Sequence, residues 1–384
     1  MPTLAEVMSL ETLPAGWKAA HQVQVSEAQI ERAVRLLYNL DGHPRHLHRY
    51  MMEEAVVSTD FPNLLGLVLD RDLMARYKTE PLDFWGYTRR LRASNFNAQD
   101  ILRLDGLNNP LPLVGENGEY LVGYVGDTKV TYRVYKRGRQ FDIKWEAIVN
   151  DALGAFSDIA ERMSESAINT DSFQVTSLIA AATGPNPALF GAPIVAPDGA
   201  NVTNVGVLPL TGANLQTTLG LMARQTSPIT GLPLGIRGLH LVVPPELEDT
   251  AWSIVTSSFV QYVDVQGGAG AVIQPFPTEN PMKRRGIQVH VNEWLPQVDL
   301  ANADTTWYLF ADPARYAAIG YGYLTGHEAP EVCMKNSNKV TLQGQAISPF
   351  AGDFESDNIF YRVRHVCGGC GMIEPRACYA QVGP

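Results

Sequence analysis

FDIKWEAIVNDALGAFSDIAERMSESAIN, residues 141–169, is the stretch from which the fold can be read. Its apolar residues Trp145, Ile148, Val149, Ala152, Leu153, Phe156, Ile159, Ala160 and Met163 recur in steps of three and four, which lays one stripe along a helix. Asp142 stands at an N-cap position. Glu146 and Asp151 place negative charge in the early turns, where the helix dipole favours it. At 1.5 Å per residue such a helix spans roughly 40 Å, a strut long enough to cross a subunit. Directly before it, GEYLVGYVGDTKVTYRVYKRGRQ (118–140) is strand-like and basic. Val130, Tyr132 and Val134 alternate with Thr131, Arg133 and Tyr135, and Gly126-Asp127 marks a turn between strands expected at Tyr120–Val125 and Lys129–Tyr135. A two-stranded ribbon with so little apolar cover is marginal alone in water, so it must lie on its own subunit or on a neighbour.

The totals narrow the classes. A chain of 384 residues, 45% hydrophobic, can bury one large core or two smaller ones. Its formal charge of −10 argues against sequence-independent nucleic-acid binding, which relies on cationic side chains displacing counterions. No run of 18 apolar residues exists, and the first 30 residues lack a basic region followed by an apolar one, so neither membrane spanning nor secretion is expected. The four cysteines, Cys333, Cys367, Cys370 and Cys378, are too few for a disulfide framework and suit synthesis in a reducing compartment.

Residues 1–24 are weakly patterned and read as an arm that orders against a partner. SEAQIERAVRLLYNL, from Ser26, is an amphipathic helix with Gln29 placed for a capping box. His43, His46 and His48 follow, but Pro44 breaks their helical spacing and the segment reads as a solvated turn. After a helix in TDFPNLLGLVLDRDLMARY, Phe84, Trp85 and Tyr87 read as core, FNAQDILRLDG as extended and LNNPLPLVGENGEY as a loop. Beyond the long helix lies a Pro/Gly-rich connector over 184–212. Then ANLQTTLGLMARQ reads as a helix, and GLHLVVPPELEDTAWSIVTS as a strand passing through Pro244-Pro245 into a helix. With strands at IQVHV and WYLF this makes a small α/β module over 211–326. In the tail, Tyr361, Val363 and His365 alternate with Arg362, Arg364 and Val366 as in a strand.

Signatures of chemistry are sparse. The chain has no phosphate loop, nucleophile elbow or H-E-x-x-H helix, and Gly267, Gly268 and Gly270 follow no strand-to-helix turn. His365, Cys367, Cys370 and Cys378 have a zinc-like spacing, and a turn at Gly368-Gly369 would let two thiolates face one ion. Thiols in strands are more often merely buried. The expectation is therefore no catalytic residue, no metal and no cofactor.

The run 118–167, GEYLVGYVGDTKVTYRVYKRGRQFDIKWEAIVNDALGAFSDIAERMSESA, resembles the extended loop and spine helix of tailed-bacteriophage major capsid proteins of the Hong Kong 97 type. It is similar in particular to Mu-like head subunits and to the capsid portion of prohead-protease/major-capsid fusions. STDFPNLLGLVLDRDLMARY, GLPLGIRGLHLVVPPELEDTAWSIV and DNIFYRVRHVCGGCGMIEPRACY resemble further parts of that family in its order. The resemblance implies an α+β fold. Its parts would be an N-terminal arm (1–58), a peripheral domain (59–105 and 141–210, the latter with the spine helix), an extended β-hairpin loop (106–140), an axial domain (211–334) and closing peripheral strands (335–384).

It further implies a structural subunit that self-assembles into hexamers and pentamers of an icosahedral head enclosing double-stranded DNA, held without sequence-specific contacts. Portal, scaffold, maturation protease and decoration proteins would be partners. Assembly would take place in the host cytoplasm, with no membrane involved. On the extended loop, Tyr120, Tyr124, Tyr132 and Tyr135 are the expected anchors, and Lys136, Arg137 and Arg139 would meet acidic partners across the subunit boundary. The competing readings are an encapsulin-like cargo compartment of the same fold and an oligomeric enzyme built on the 211–326 module.

Overall fold

A computed structural model describes residues 73–77, 82–105, 126–144, 154–227, 231–263, 275–335, 337–339, 353–356 and 358–383, with isolated positions between them. The expected helix after Ser26, the His43–His48 turn, the Gly267–Gly270 loop and residues 145–153 lie outside the described residues.

In chain order, a 3-10 turn at Asp83–Gly86 leads into β1 (Arg89–Ala93), β2 (Gln99–Asp105), β3 (Gly126–Tyr132) and β4 (Tyr135–Ile143). The long helix α1 (Gly154–Ile179) follows, then β5 (Val205–Gly206), α2 (Gly212–Ala223), β6 (Gly238–Val243) and α3 (Glu248–Thr256). The paired strands β7 (Phe259–Val263) and β8 (Pro275–Glu279) precede β9 (Gln288–Val291), the short α4 (Leu295–Val298) and β10 (Thr306–Ala311). β11 (Gly320–Leu324), β12 (Glu331–Met334), β13 (Ile359–Cys370) and β14 (Cys378–Val382) complete the described chain.

Two five-stranded sheets organise these elements. The first is built on β13, with β11 and β12 along one side and β4 along the other, and β1 running parallel outside β11. The second has the order β9-β6-β10-β14-β5. β6 reads GLHLVV and β10 reads TWYLFA, and both are almost wholly buried, as expected of central strands covered on two faces. Trp307, Tyr308, Tyr321 and Phe310 are among the largest side chains of the main core. β11 belongs to the first sheet although it lies in the 211–334 stretch. β14, from the closing stretch, inserts beside β10 in the second.

The α+β class expected from the sequence is the one found, with local corrections. The strand-to-helix passage lies later than the periodicity suggested. Phe141–Ile143 continue β4, where Asp142 pairs with Phe360 and therefore caps no helix. α1 runs to Ile179, past the expected end at Asn169. Its buried positions Ser164, Ala167, Asp171, Val175, Thr176 and Ile179 do fall in helical steps, but three of them are polar, so an apolar stripe alone underestimates its length.

The arm is paired differently as well. β3 pairs antiparallel with β2, from Gln99↔Tyr132 to Asp105↔Gly126, so Gly126-Asp127 opens a strand instead of making a turn. The extended reading of FNAQDILRLDG holds, and this segment supplies the partner strand. Nor is Gly368-Gly369 a turn. Both lie within β13, where a Cβ on Gly368 would meet the Arg133 carbonyl oxygen at 2.3 Å. The missing side chain admits the crossing between β3 and β4.

Neighbouring strands of the second sheet carry a histidine pair that packs against the 3-10 turn before β1. His240 on β6 and His290 on β9 face each other, Nδ1 to Nε2, at 2.9 Å, and His290 Nδ1 lies 2.7 Å from Asp83 Oδ1. A Cβ on Gly86 would sit 2.5 Å from the His290 ring, so only glycine permits this approach. Burial, with His290 as a further cause, pushes His240 down to about 4. The folded state therefore binds fewer protons than the unfolded chain between about pH 4 and the ordinary histidine value near 6.5. The stabilisation is complete above pH 6.5 and is lost as pH falls, by up to about 3 kcal/mol. His240→Phe is expected to flatten the dependence of the urea midpoint on pH between 7.5 and 4.5. An unchanged slope would contradict this assignment.

Candidate subunit interface

The first sheet lies between two layers. Residues opposite each other in a ladder share a face, so Tyr135, Arg137, Arg139 and Phe141 of β4 lie on the same side as Cys367, His365, Val363 and Tyr361 of β13. That side meets α1: Arg137 donates to Gln174 Oε1 at 2.5 Å, and His365 Nε2 donates to Asp171 at 2.9 Å. On the opposite side the root of the arm packs through Tyr132, Val134, Ile101 and Val130 against Val366, Cys370 and Ile373.

Salt bridges fix this root. Arg103 on β2 donates to Glu374 Oε2 at 2.5 Å, Asp198 Oδ2 at 3.2 Å and the Ile373 carbonyl at 3.1 Å. Arg376 donates to the same two carboxylates at 3.0 and 2.8 Å. Burial works to raise Asp198, but the Arg376 hydrogen bond, the Ala200 N–H and the two guanidinium charges hold it below the usual carboxylate range. Two arginines alternating with two acids in a nearly dry site satisfy each other's charge. The base of the ribbon is thus clamped to its own subunit.

Between Asp105 and Gly126 the described residues are mostly exposed. Leu111 is 95% exposed, Leu113 100% and Tyr120 85%, and Leu102 on β2 is 67% exposed. Exposed apolar side chains grouped along one stretch of chain mark a contact surface.

The seven residues expected to make the interface therefore separate. Tyr120 lies bare on the distal arm, and Tyr124 is outside the described residues. Tyr132 is buried at the root, donating to the Arg92 carbonyl at 2.7 Å, so it anchors the arm internally. Tyr135, half exposed under the Arg133 guanidinium, and Lys136, Arg137 and Arg139 belong to β4 of the first sheet.

There they border a groove of about 390 Å³ lined by residues 136–140 and 362–364. A Cβ on Gly138 would meet the Val363 carbonyl oxygen at 2.4 Å, so the strand runs close here. Lys136 and Arg362 are exposed, and Arg364 bonds Glu331. Burial would raise the Glu331 carboxyl, but His327 and Arg364 hold it below its ordinary range. The Nε atoms of Arg137 and Arg364 are buried with no hydrogen-bond partner among the described residues. In a chain of charge −10, Lys136, Arg362 and Arg364 place three cations on one face of this sheet, opposite the α1 side that carries Arg137 and Arg139. Arg362 and Arg364 were visible in the sequence as alternating residues of a strand; that they lie beside β4 required the sheet pairing.

The metal-type set does not converge. Three residues apart in one strand, Cys367 and Cys370 occupy opposite faces, and they belong to separate core clusters. Cys378 is buried elsewhere, its thiol 3.5 Å from the Pro375 carbonyl. What His365 and Cys367 do approach is Asp171, a residue that no pattern in the sequence singles out.

The family model described as phage capsid protein matches residues 127–381, about two thirds of the chain. The chain belongs to the phage capsid protein family. It is a phage capsid protein, a structural protein, with an α+β arrangement of a long helix on one sheet and a second sheet flanked by helices. Capsid proteins of this kind assemble into shell oligomers and reside in the virion. Among solved structures, similarity extends to the capsid of cyanophage P-SCSP1u at 13% identity, covering 78% of this chain and 88% of that one with a TM-score of 0.46. It extends also to Mycobacterium phage Cain (11%, 79% and 90%, 0.45) and to the capsid of Myoviridae phage XM1 (10%, 79% and 92%, 0.44). No curated protein matches. Among the described residues of this capsid protein, no helix is long and apolar enough to cross a membrane.

Proposed function

We propose that this chain forms hexamers and pentamers of an icosahedral head that encloses double-stranded DNA, each copy laying its arm across the next. The observation that carries this reading is the contrast along the ribbon: a root clamped by Arg103, Glu374, Asp198 and Arg376, and a distal end with Leu111, Leu113 and Tyr120 in solvent. Such an end is stable only when a neighbour covers it. The peripheral part would carry α1 and the first sheet, and the axial part α2, α3 and most of the second. The acidic sum suits a shell that lets its genome enter and leave, since DNA phosphates repel like charge. Assembly in the host cytoplasm, with portal, scaffold, protease and decoration proteins as partners, belongs to the same reading.

The cationic groove on β4 and β13 would receive acidic groups of a neighbouring copy. Lys136→Glu combined with Arg362→Glu is expected to leave the subunit folded, because both side chains are exposed, while abolishing closed particles at concentrations where the unaltered chain assembles. Sedimentation velocity at low and high salt measures this, and raised salt should weaken assembly of the unaltered chain. Undiminished particles from the double variant would remove the groove from the interface. Double-stranded DNA inside particles from infected cells would separate a phage head from a cargo compartment.

A further inference from the structure

Helix α1 carries a carboxylate, Asp171, fully buried in the middle of its inward face. Tyr77 donates to its Oδ2 at 2.5 Å, Tyr323 to the same oxygen at 3.1 Å, and Tyr321 to Oδ1 at 2.8 Å. His365 Nε2 approaches both oxygens, at 2.9 and 3.1 Å, and the Cys367 thiol lies alongside. A carboxylate offers about four lone-pair sites, and the Tyr77 and Tyr323 hydroxyls also lie 3.0 Å from each other. His365 Nδ1, moreover, is buried with no partner among the described residues. A carboxylate, an imidazole and a thiol thus converge in one buried site.

We propose that Asp171, His365 and Cys367 form a closed structural binding site for one zinc ion, with the Tyr321 hydroxyl as fourth donor. Their ligand atoms lie within 4.8 Å of one another, and all three residues are buried. Zinc bonds of about 2.0–2.1 Å to N and O would set neighbouring N and O ligands roughly 3.3 Å apart. The observed Asp171–His365 separation of 2.9–3.1 Å therefore needs to open by only a few tenths.

The donor set selects the metal. A thiolate and an imidazole suit zinc, whereas calcium and magnesium require oxygen ligands throughout. Charge balances too: one carboxylate and one thiolate neutralise a divalent cation beside a neutral ring. On binding, the Cys367 S–H bond breaks and its proton leaves to solvent, while the His365 ring proton passes from Nε2 to Nδ1. One proton is released for each zinc taken up. The ion would bind α1 to β11 and β13 at the point where helix and sheet already touch, and a site so enclosed must be filled as the chain folds.

The test uses the full chain, expressed with zinc, dialysed against a weak chelator and assayed for metal by mass spectrometry. About one zinc per chain is expected. Chain refolded with cobalt(II) should show a thiolate-to-cobalt charge-transfer band together with tetrahedral visible bands. Cys370→Ser, on the other face of β13, should keep both signals. Cys367→Ser should lose the charge-transfer band and retain at least about tenfold less metal. Should Cys367→Ser fail to fold, the cobalt spectra of the unaltered chain and of Cys370→Ser decide the matter alone. Metal far below stoichiometric in the unaltered chain, a cobalt complex without the thiolate band, or full metal retention by Cys367→Ser would each overturn the site.

Discussion

Asp171→Ala is expected to destabilise the isolated subunit by about 3–5 kcal/mol, the range for removing one partner of a buried, hydrogen-bonded charge network. Tyr77, Tyr321, Tyr323 and His365 all end on this one carboxylate. They reach it from the helical turn at 73–77, from β11 and from β13, so Asp171 joins α1 to three other parts of the subunit. Burial opposes its ionisation, but His365 and the tyrosine hydroxyls more than offset this, and the carboxyl lies below its ordinary range. Burial, with the Asp171 charge as a further cause, raises all three tyrosines, so they remain donors at any pH of interest. Alanine would remove the acceptor that these buried groups share, leaving the Tyr77 and Tyr323 hydroxyls only each other. Asp171→Asn keeps the shape but turns one acceptor into a donor facing other donors, so it should recover little. Urea unfolding of the three proteins measures this, and a loss below about 1 kcal/mol for alanine would show that the donors find other partners.

Removing the end of the arm should have the opposite profile, with little change in stability and a large change in assembly. Residues 107–124 lie beyond the last ladder pair, Asp105↔Gly126, so they can be excised and the strands joined by an Asn-Gly turn. The root stays clamped by Arg103 and by the apolar cluster around Tyr132 and Val366. Shortening a loop changes its closure entropy by only about 1 kcal/mol. The shortened chain should therefore unfold at nearly the same denaturant concentration yet yield no closed particles. The boundary matters. A deletion reaching residue 137 would take β3, the start of β4 and the Arg137–Gln174 contact with it, and would test folding instead of assembly.

Which features the sequence disclosed follows from where periodicity is informative. GLHLVV and WYLF are unbroken apolar runs beside Pro and Gly, and they are buried strands. Thr211 caps α2 by accepting the Asn214 N–H at 3.2 Å, close to where the second module was expected to begin. The arm was legible as a ribbon but not in its register, because Gly126-Asp127 has the composition of a turn and only the ladder to β2 shows otherwise.

Polar residues in buried positions were the main blind spot. Asp171, Asp198, Glu374 and Arg376 look like solvated residues in the sequence and are among the most enclosed in the fold. Their partners come from segments up to 271 residues apart, a separation that no local window spans. The Cys-x-x-Cys spacing, read above as buried thiols, shows the converse. It implies convergence only around a turn, and β13 is extended there.

The central claim is that the clamped root and bare end of the ribbon commit this chain to assembly with its own copies. Electron microscopy of the full chain, expressed without other phage proteins and concentrated, tests it most directly. Closed shells or capsomers are expected, with the arm of one copy lying over the next. A monodisperse monomer at high concentration, with Leu111, Leu113 and Tyr120 folded back on its own body, would contradict the account.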